Sequence, residues 1–597
     1  MSDSIDPQLL DYYQRELTWL RHAGSQFAER YPKVARRLEL SPGECPDPHV
    51  ERLLEGFALL AARLQRRLDD DYAEFSDALL EQLYPLAMRP LPSCAIVQFE
   101  PDPSKGKLDE GYPLPRDTPL FVTTSKGESI HFRTSAAVRL WPIEVTEALL
   151  LGSDEAQALT GVAQSRSALR LSLRCLGESQ WADLGIEQLR IHLAASPVVN
   201  ACLYDLLGAH AVQVLAGSPG SVPTALKGLP NIVGFSDDEA LLPDEDGVHP
   251  GMRLLAEYFA FPDKFHFFDL PLRGVSSDSQ ALYLYIVFDR VPASRLHLQA
   301  SDIALGCAPV INLFPRTSEP LRPDGTRSEY RLIADSHREN SVEIHSIRGM
   351  RASTRTGVQR LPAYYGSQHS GGDQQRYWHA RRVNGMTPNR LGSDLLVSVV
   401  DTRFEPQTDL PDYSLTAELL CTNRHLAQTL PAGTPLGFER PGPVAWARLR
   451  NPPSAQSQPR LDGDSRWRLV SQLTLNHLSL VEGPQALDAL KEILYLHNLR
   501  DEASALRQIE GLLQLSCERV IGHVGADAWR GWRNGLEVQL QLDPQHFVGS
   551  SAVLFSAVLA QFFSLYATAN RFVRTVLMQS DKEVKAWQPQ AGMPLSL

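Results

Sequence analysis

The stretch Pro7-Gln-Leu-Leu-Asp-Tyr-Tyr-Gln-Arg-Glu-Leu-Thr-Trp-Leu-Arg-His-Ala-Gly-Ser-Gln-Phe-Ala-Glu-Arg-Tyr-Pro32 sets a pattern from which the rest of the chain departs. Leu10, Tyr13, Leu17, Leu20, Gly24, Phe27 and Tyr31 recur at steps of three and four, which is the period of a helix with one narrow apolar seam. Asp6 is placed to cap that helix, Pro7 suits its first turn, and Pro32 ends it. After the turn-forming Ser41-Pro-Gly-Glu-Cys-Pro46, Asp47-Pro48 opens a second helix on the same logic. Its apolar positions are Val50, Leu53, Leu54, Phe57, Leu60, Ala61, Leu64 and Leu68, continuing through Phe75, Leu79 and Leu83 to Pro85. Residues 1–90 therefore read as a long helical hairpin. Arg63, Arg66, Arg67, Asp69 and Asp70 supply a solvated face. A seam as narrow as that of the first helix packs either on its own domain or on helices of a partner; sequence leaves both open.

Past Pro90-Leu-Pro92 the period changes to two. Ala95–Phe99, Leu169–Cys175 and Leu189–Leu193 alternate as strands, as do Val342 and Ile344 with their polar neighbours. Ala281–Phe288 and Leu395–Val400 are near-continuous apolar runs, fitting strands covered on both faces. Residues 431–464, dense in Pro, Gly, Ser and Gln, read as a linker or long loop. Helical patterns return at 485–496, 503–515 and 551–577. The fold class is α+β: a helical hairpin (1–90), β-rich domains over 91–270 and 271–430, the linker, and a mixed α/β C-terminal domain (465–597). At 597 residues the chain is long enough for three or four folded units.

The bulk properties exclude several function classes. The net charge of −12 argues against broad nucleic-acid binding. Seven cysteines, none close to another in sequence, fit a reducing compartment better than a disulfide scaffold. Met1-Ser-Asp-Ser-Ile-Asp6 has no basic region leading into an apolar run, so no signal peptide is expected. Phe547–Asn570 is uncharged over 24 residues. Gln561, Ser564, Thr568 and Arg571 nevertheless form a polar stripe opposite Val558, Phe562, Leu565 and Phe572, so the segment reads as an amphipathic helix buried against protein, not a membrane span.

The residue patterns that carry chemistry are missing. The chain has no phosphate-cradling Gly-x-x-x-x-Gly-Lys-Ser/Thr, Gly-x-Gly-x-x-Gly, His-Glu-x-x-His, Cys-x-x-Cys or Gly-x-Ser-x-Gly. Its 17 histidines include no pair at i, i+2 or i, i+4. Asp462-Gly-Asp464, Lys105-Gly-Lys107 and Asp244-Glu245-Asp246 read as turns or solvated tips. Cys307 and Cys421 read as small core residues. No catalytic residue, cofactor or metal site is assigned. An enzyme with a site assembled from distant residues stays open at this level.

Tyr12-Tyr-Gln-Arg-Glu-Leu17, Phe27–Pro32, Asp47-Pro-His-Val-Glu-Arg-Leu-Leu-Glu55, Leu83-Tyr-Pro85 and Arg89–Pro92 resemble the start of the TssF family, also called VasA or ImpG. The resemblance continues in order through His131-Phe-Arg-Thr134, Leu140-Trp-Pro142, Gly251-Met-Arg-Leu-Leu-Ala-Glu-Tyr-Phe-Ala-Phe-Pro-Asp-Lys-Phe265, Leu305–Phe314, Leu420-Cys-Thr-Asn-Arg424, Trp467–Val470 and Leu475–Leu480. It covers about residues 8–570; Thr474 and His477 depart from the pattern, and residues after about 575 match nothing. It implies a cytoplasmic structural subunit of a type VI secretion baseplate wedge, similar to wedge subunits of contractile phage tails. The implied partners are TssG, TssK, TssE and further TssF copies, with the spike VgrG and the sheath in the assembled machine. The implied position is at the inner membrane through other subunits, without direct insertion. It implies no catalysis and no cofactor. An adaptor that recruits effectors or the spike is the alternative. On this reading Leu10, Tyr13, Leu17, Leu20 and Phe27 are expected to bury against partner helices.

Overall fold

The computed structural model describes residues 7–35, 48–244, 248–292, 296–324, 326–354, 357–365, 376–387, 390–401, 403, 405, 414–438, 442–459, 463–473, 483, 485–500, 502–523, 532–567 and 571–591. They divide into two compact units, Met1–Glu81 with Arg460–Leu473, and Gln82–Pro459 with Thr474–Leu597.

The smaller unit is helical. Helix α1 spans Pro7–Arg30 and helix α2 spans Pro48–Leu83. Each begins on a proline, whose fixed φ and missing N–H cost nothing in a first turn. The proposed caps Asp6 and Asp47 and the turn Ser41–Pro46 lie outside the described residues. Arg21 on α1 donates to Glu51 on α2, its Nε at 3.1 Å from Oε1. Helix Gly463–Leu473 joins this unit from far along the chain, with Arg466 paired to Asp77 at 2.6 Å. Trp467–Val470 therefore belongs with the N-terminal helices and not with a C-terminal domain. Asp462 of the Asp-Gly-Asp turn lies outside the described residues, and Gly463 starts the helix.

The larger unit is built on a closed six-stranded barrel. Around it run Cys94–Pro101, Cys307–Ile311, Ser129–Thr134, Pro119–Thr123, Pro435–Phe438 and Val444–Leu449, which returns to Cys94–Pro101. Val97, Phe99, Leu120, Ile130, Phe132, Val310, Leu436 and Leu449 fill its interior, alternate residues pointing inward as the pleat requires. Residues 431–464 are thus not a linker: two closing strands come from them. Their proline and glycine content serves tight turns, and only closure with distant strands reveals the pairing. The boundary expected at 270/271 is also absent from the sheets. Ala281–Phe288 lies between Ala211–Gly217 and Ser167–Cys175, with Leu284 opposite Leu171 and Ile286 opposite Leu169. A second four-stranded sheet holds Phe267–Pro271 against Gln188–Leu193.

Phe314–Thr317, Ser414–Thr422, Glu343–Thr354 and Gly357–Leu361 form one sheet, and Tyr330–Arg331, Ser393–Val400 and Tyr377–Asn384 another. They share a core of Ile344, Met350, Leu395, Val397, Leu415, Leu419 and Cys421. At the C-terminal end, Leu512–His523 and Trp532–Leu542 make a long antiparallel ribbon, and Phe572–Gln579 adds in parallel after helix Ala552–Tyr566. Helices expected over 503–515 and 551–577 stop at Glu510 and Tyr566 and give way to strands. Short apolar runs carry no period long enough to separate the two states. Phe572 lies over Gly535, where a Cβ would meet its ring at 2.4 Å, so only glycine fits there. Helix Ala552–Tyr566 is buried on nearly all sides, including Ser556 and Ser564, instead of showing the polar stripe expected of it. The stripe member Thr568 lies outside the described residues. No helix among the described residues is long and apolar enough to cross a membrane.

Candidate partner interface

The sequence blocks that carry the family resemblance converge on packing, not on a reactive centre. Asn312, His131 and Asn423, from three distant blocks, meet in one buried junction. Asn312 Nδ2 donates to Asn423 Oδ1 at 2.8 Å, Asn423 N donates to Asn312 Oδ1 at 2.7 Å, and His131 N donates to Asn423 Oδ1 at 2.9 Å. Each amide satisfies backbone groups that burial would otherwise orphan. In the block Gly251–Phe265, Lys264 pairs with Glu257, and both are fully buried. Glu257 also accepts from Leu242 N at 2.9 Å, while Tyr258 donates to Gln508 at 2.6 Å. Buried, mutually satisfied groups of this kind join distant strands and helices of the larger unit.

The charged residues around the remaining candidate sites are likewise engaged. A cleft of about 190 Å³ is lined by Gln98, Glu100, Arg139, Glu144, Arg190 and Arg450 among others. Arg190 is held by Asp269 and Glu239 at 2.7 and 2.6 Å, and Arg450 donates to Ser301 O at 2.8 Å. Burial, with Glu144 nearby, raises the Glu100 carboxyl. No histidine or cysteine lines the cleft, which is smaller than usual small-molecule pockets. Cys307 and Cys421 are buried, and burial pushes their thiols up to about 12, the reverse of an activated nucleophile. Lys105 pairs with Asp102 at 3.1 Å and Asp244 with Arg253 at 2.9 Å, as solvated tips do; Glu245 and Asp246 lie outside the described residues. Among the described residues no three His, Cys, Asp or Glu side chains gather as a metal site.

The helical unit leaves a contiguous run of large apolar side chains uncovered. The seam residues of α1 are all at least partly exposed: Leu10 at 41%, Phe27 at 37%, and Tyr13, Leu17 and Leu20 partly covered. Helix α2 goes further. Leu53, Phe57, Leu60 and Leu64 are 74, 58, 60 and 65% exposed. Their spacing of 4, 3 and 4 places them on one face, as in a coiled-coil seam. Alongside these four, the buried positions are small, Ala28 on α1 and Ala58 and Ala62 on α2; the large Leu80 is buried only near the far end of α2. Small side chains inside and large ones outside invert the order expected of a helix that completes its own core. Fully covering the four large α2 side chains is worth on the order of 6 kcal/mol before ordering costs. Sequence reasoning listed these α2 residues as apolar but placed the interface on α1. The signal was available in the 4-3-4 spacing, which Leu54 and Ala61 on the neighbouring face blurred.

Comparison with known proteins identifies the family. The family model described as "Type VI secretion system, TssF" matches residues 5–594, past residue 575 where the recognised sequence blocks end. The chain is 33% identical to the type VI secretion system component TssF1 of Pseudomonas aeruginosa, over 98% of this chain and 99% of that protein. Its fold is similar to a chain of the type VI secretion TssK-TssF-TssG baseplate subcomplex solved by cryo-electron microscopy. That likeness has a TM-score of 0.73 at 24% identity and covers 92% of this chain and all of the other. A chain of the type VI secretion baseplate complex matches with a TM-score of 0.58 at 24% identity, over 98% of this chain and all of that one. With a match over nearly its whole length and a core made of the residues that carry the family pattern, the chain belongs to the TssF family of type VI secretion proteins.

Proposed function

We propose that this chain is a structural subunit of a type VI secretion baseplate wedge, whose work is to bury its helical unit against TssG and a further TssF copy. The observation that carries the reading is the inverted helix pair, with Leu53, Phe57, Leu60 and Leu64 on α2 beside the α1 seam of Leu10, Tyr13, Leu17, Leu20 and Phe27. The similar solved chains come from baseplate complexes, one of them named as containing TssK and TssG, which supports TssG as a partner. In the wider assembly the subunit joins TssK and TssE around the VgrG spike, gives the sheath its platform, and works in the cytoplasm at the inner membrane through other subunits. Catalysis forms no part of this role, which is filled by packing area and by the rigidity of the larger unit.

The test is co-purification. Tagged chain carrying Leu17→Asp and Leu20→Asp, or Leu53→Asp and Leu60→Asp, is expressed with TssG. Both pairs are expected to lose TssG while the larger unit keeps its melting transition. Retention of TssG by both variants at the unmodified level would overturn the proposal.

A further inference from the structure

Gly56 stands inside α2, where glycine is the least favourable residue after proline, because it gives up the most backbone freedom and brings no side chain to pack. The backbone does not ask for it: the helix is continuous there, and Gly56 is not among the glycines of positive φ. Packing within the chain does not ask for it either. A Cβ built on Gly56 would meet nothing within 4 Å, whereas one on Gly535 would strike the Phe572 ring. A glycine that neither conformation nor its own fold requires points to something outside the chain.

Its neighbours on the outer side give it a place. Leu53, Gly56, Phe57 and Leu60 stand at i, i+3, i+4 and i+7, the four corners of the hole into which a facing helix sets a knob. All four are exposed, while Ala58 and Ala62 are buried on the other side of the helix. With one corner lacking a side chain, the hole opens down to the helix backbone. It then admits a large apolar side chain and a close approach of the helix that carries it. The charge beside the hole is one-sided. From Gly56 to Leu68 the sequence holds Arg63, Arg66 and Arg67 and no acid. Arg63 is exposed, and it lies three residues past Leu60 and seven past Gly56, on the same side of the helix. The positions one turn from it are Leu59, Leu60, Arg66 and Arg67, so α2 offers it no carboxylate.

We propose that Leu53, Gly56, Phe57 and Leu60 form the hole for one large apolar side chain of a TssG helix, and that this helix carries an acidic residue beside the knob to meet Arg63. The inference rests on the interface proposed above and adds where the two helices cross and what the incoming one presents. Leu53, Phe57 and Leu60 supply the apolar walls, and Gly56 supplies the depth that any larger residue would remove. Charge complementarity at Arg63 selects an acidic helix over a basic one.

The experiment titrates TssG against the full chain and its variants. Gly56→Ala is expected to weaken binding about tenfold and Gly56→Leu at least about a hundredfold, because each fills the corner the knob needs. Both replace glycine by a better helix former, so the melting temperature should hold or rise, which separates loss of contact from loss of fold. Arg63→Glu is expected to weaken binding about tenfold at low salt, with a smaller difference at high salt. The Leu53→Asp, Leu60→Asp variant, measured alongside, distinguishes this inference from the reading beneath it. If that variant loses TssG while Gly56→Leu binds as the parent does, the hole is overturned and the interface stands. Tighter binding by Gly56→Leu overturns the hole as well, since added apolar area alone would then decide affinity. Retention of TssG by the aspartate variant at the parent affinity overturns both. Self-association of the chain alone, seen by sedimentation velocity and lost in Gly56→Leu, overturns TssG as the occupant and makes it a second copy.

Discussion

Helix Ala552–Tyr566 and helix α2 both carry dense apolar stretches, and the chain treats them in opposite ways. In the first, twelve of fifteen residues are buried, so nothing apolar is left to offer. In the second, Leu53, Phe57, Leu60 and Leu64 are outside while Ala58 and Ala62 are inside. Intrinsic helix preference does not separate the two, since both are rich in Ala and Leu. What separates them is whether the chain itself supplies the covering layer. A closed helix stabilises the fold; an open one holds free energy that only another chain can release.

The contrast can be broken or sharpened experimentally. The largest effect belongs to the open helix: Leu53→Asp with Leu60→Asp should cost about 4 kcal/mol of TssG affinity, roughly a thousandfold, by analogy with hot-spot truncation. Titration of TssG against the variant measures this, and the melting temperature should stay near the parent value. Phe562→Ala in the closed helix should do the reverse, costing about 4 kcal/mol in denaturant unfolding with TssG affinity intact. Equal effects of the two variants on binding would remove the distinction. Glu257→Ala leaves Lys264 buried without its partner and should cost about 3 kcal/mol, whereas Glu257→Leu with Lys264→Met should recover most of it.

Next comes a pH effect confined to the closed unit. His497 is buried, its Nδ1 2.8 Å from Ile493 O, and burial pushes its pKa down to about 4. A folded-state value below the unfolded one of about 6.5 means stability that is present above pH 6.5 and lost as pH falls toward 4. Unfolding free energies at pH 7 and 4.5 should differ by about 2.5 kcal/mol from this group, and His497→Phe should flatten that dependence. The smallest effect should come from Arg21→Ala. Its exposed pair with Glu51 sets the register of α1 against α2 but contributes only about 0.5 kcal/mol, diminishing in high salt.

Much of the molecule was legible before any coordinates. Pro7, Pro48 and the step of three and four predicted α1 and α2, alternation predicted the strands at Leu169–Cys175 and Leu189–Leu193, and an unbroken apolar run predicted Ala281–Phe288. The candidate interface was only half legible. The α1 seam stood out because it is narrow, while the α2 stripe was hidden by apolar neighbours that extend it around the helix.

By itself the sequence determined the local periods, the breaks at Pro32, Pro85 and Pro90–Pro92, and the family, because each rests on residues within a few positions of one another. Only the tertiary structure decided that 435–438 and 444–449 close a barrel begun at Cys94. It alone brought Gly463–Leu473 back to the N-terminal helices, and it alone decided which apolar faces are covered. The physical reason is that periodicity is a property of one segment, whereas strand pairing and burial are properties of two or more, joined at a distance along the chain that no local pattern records.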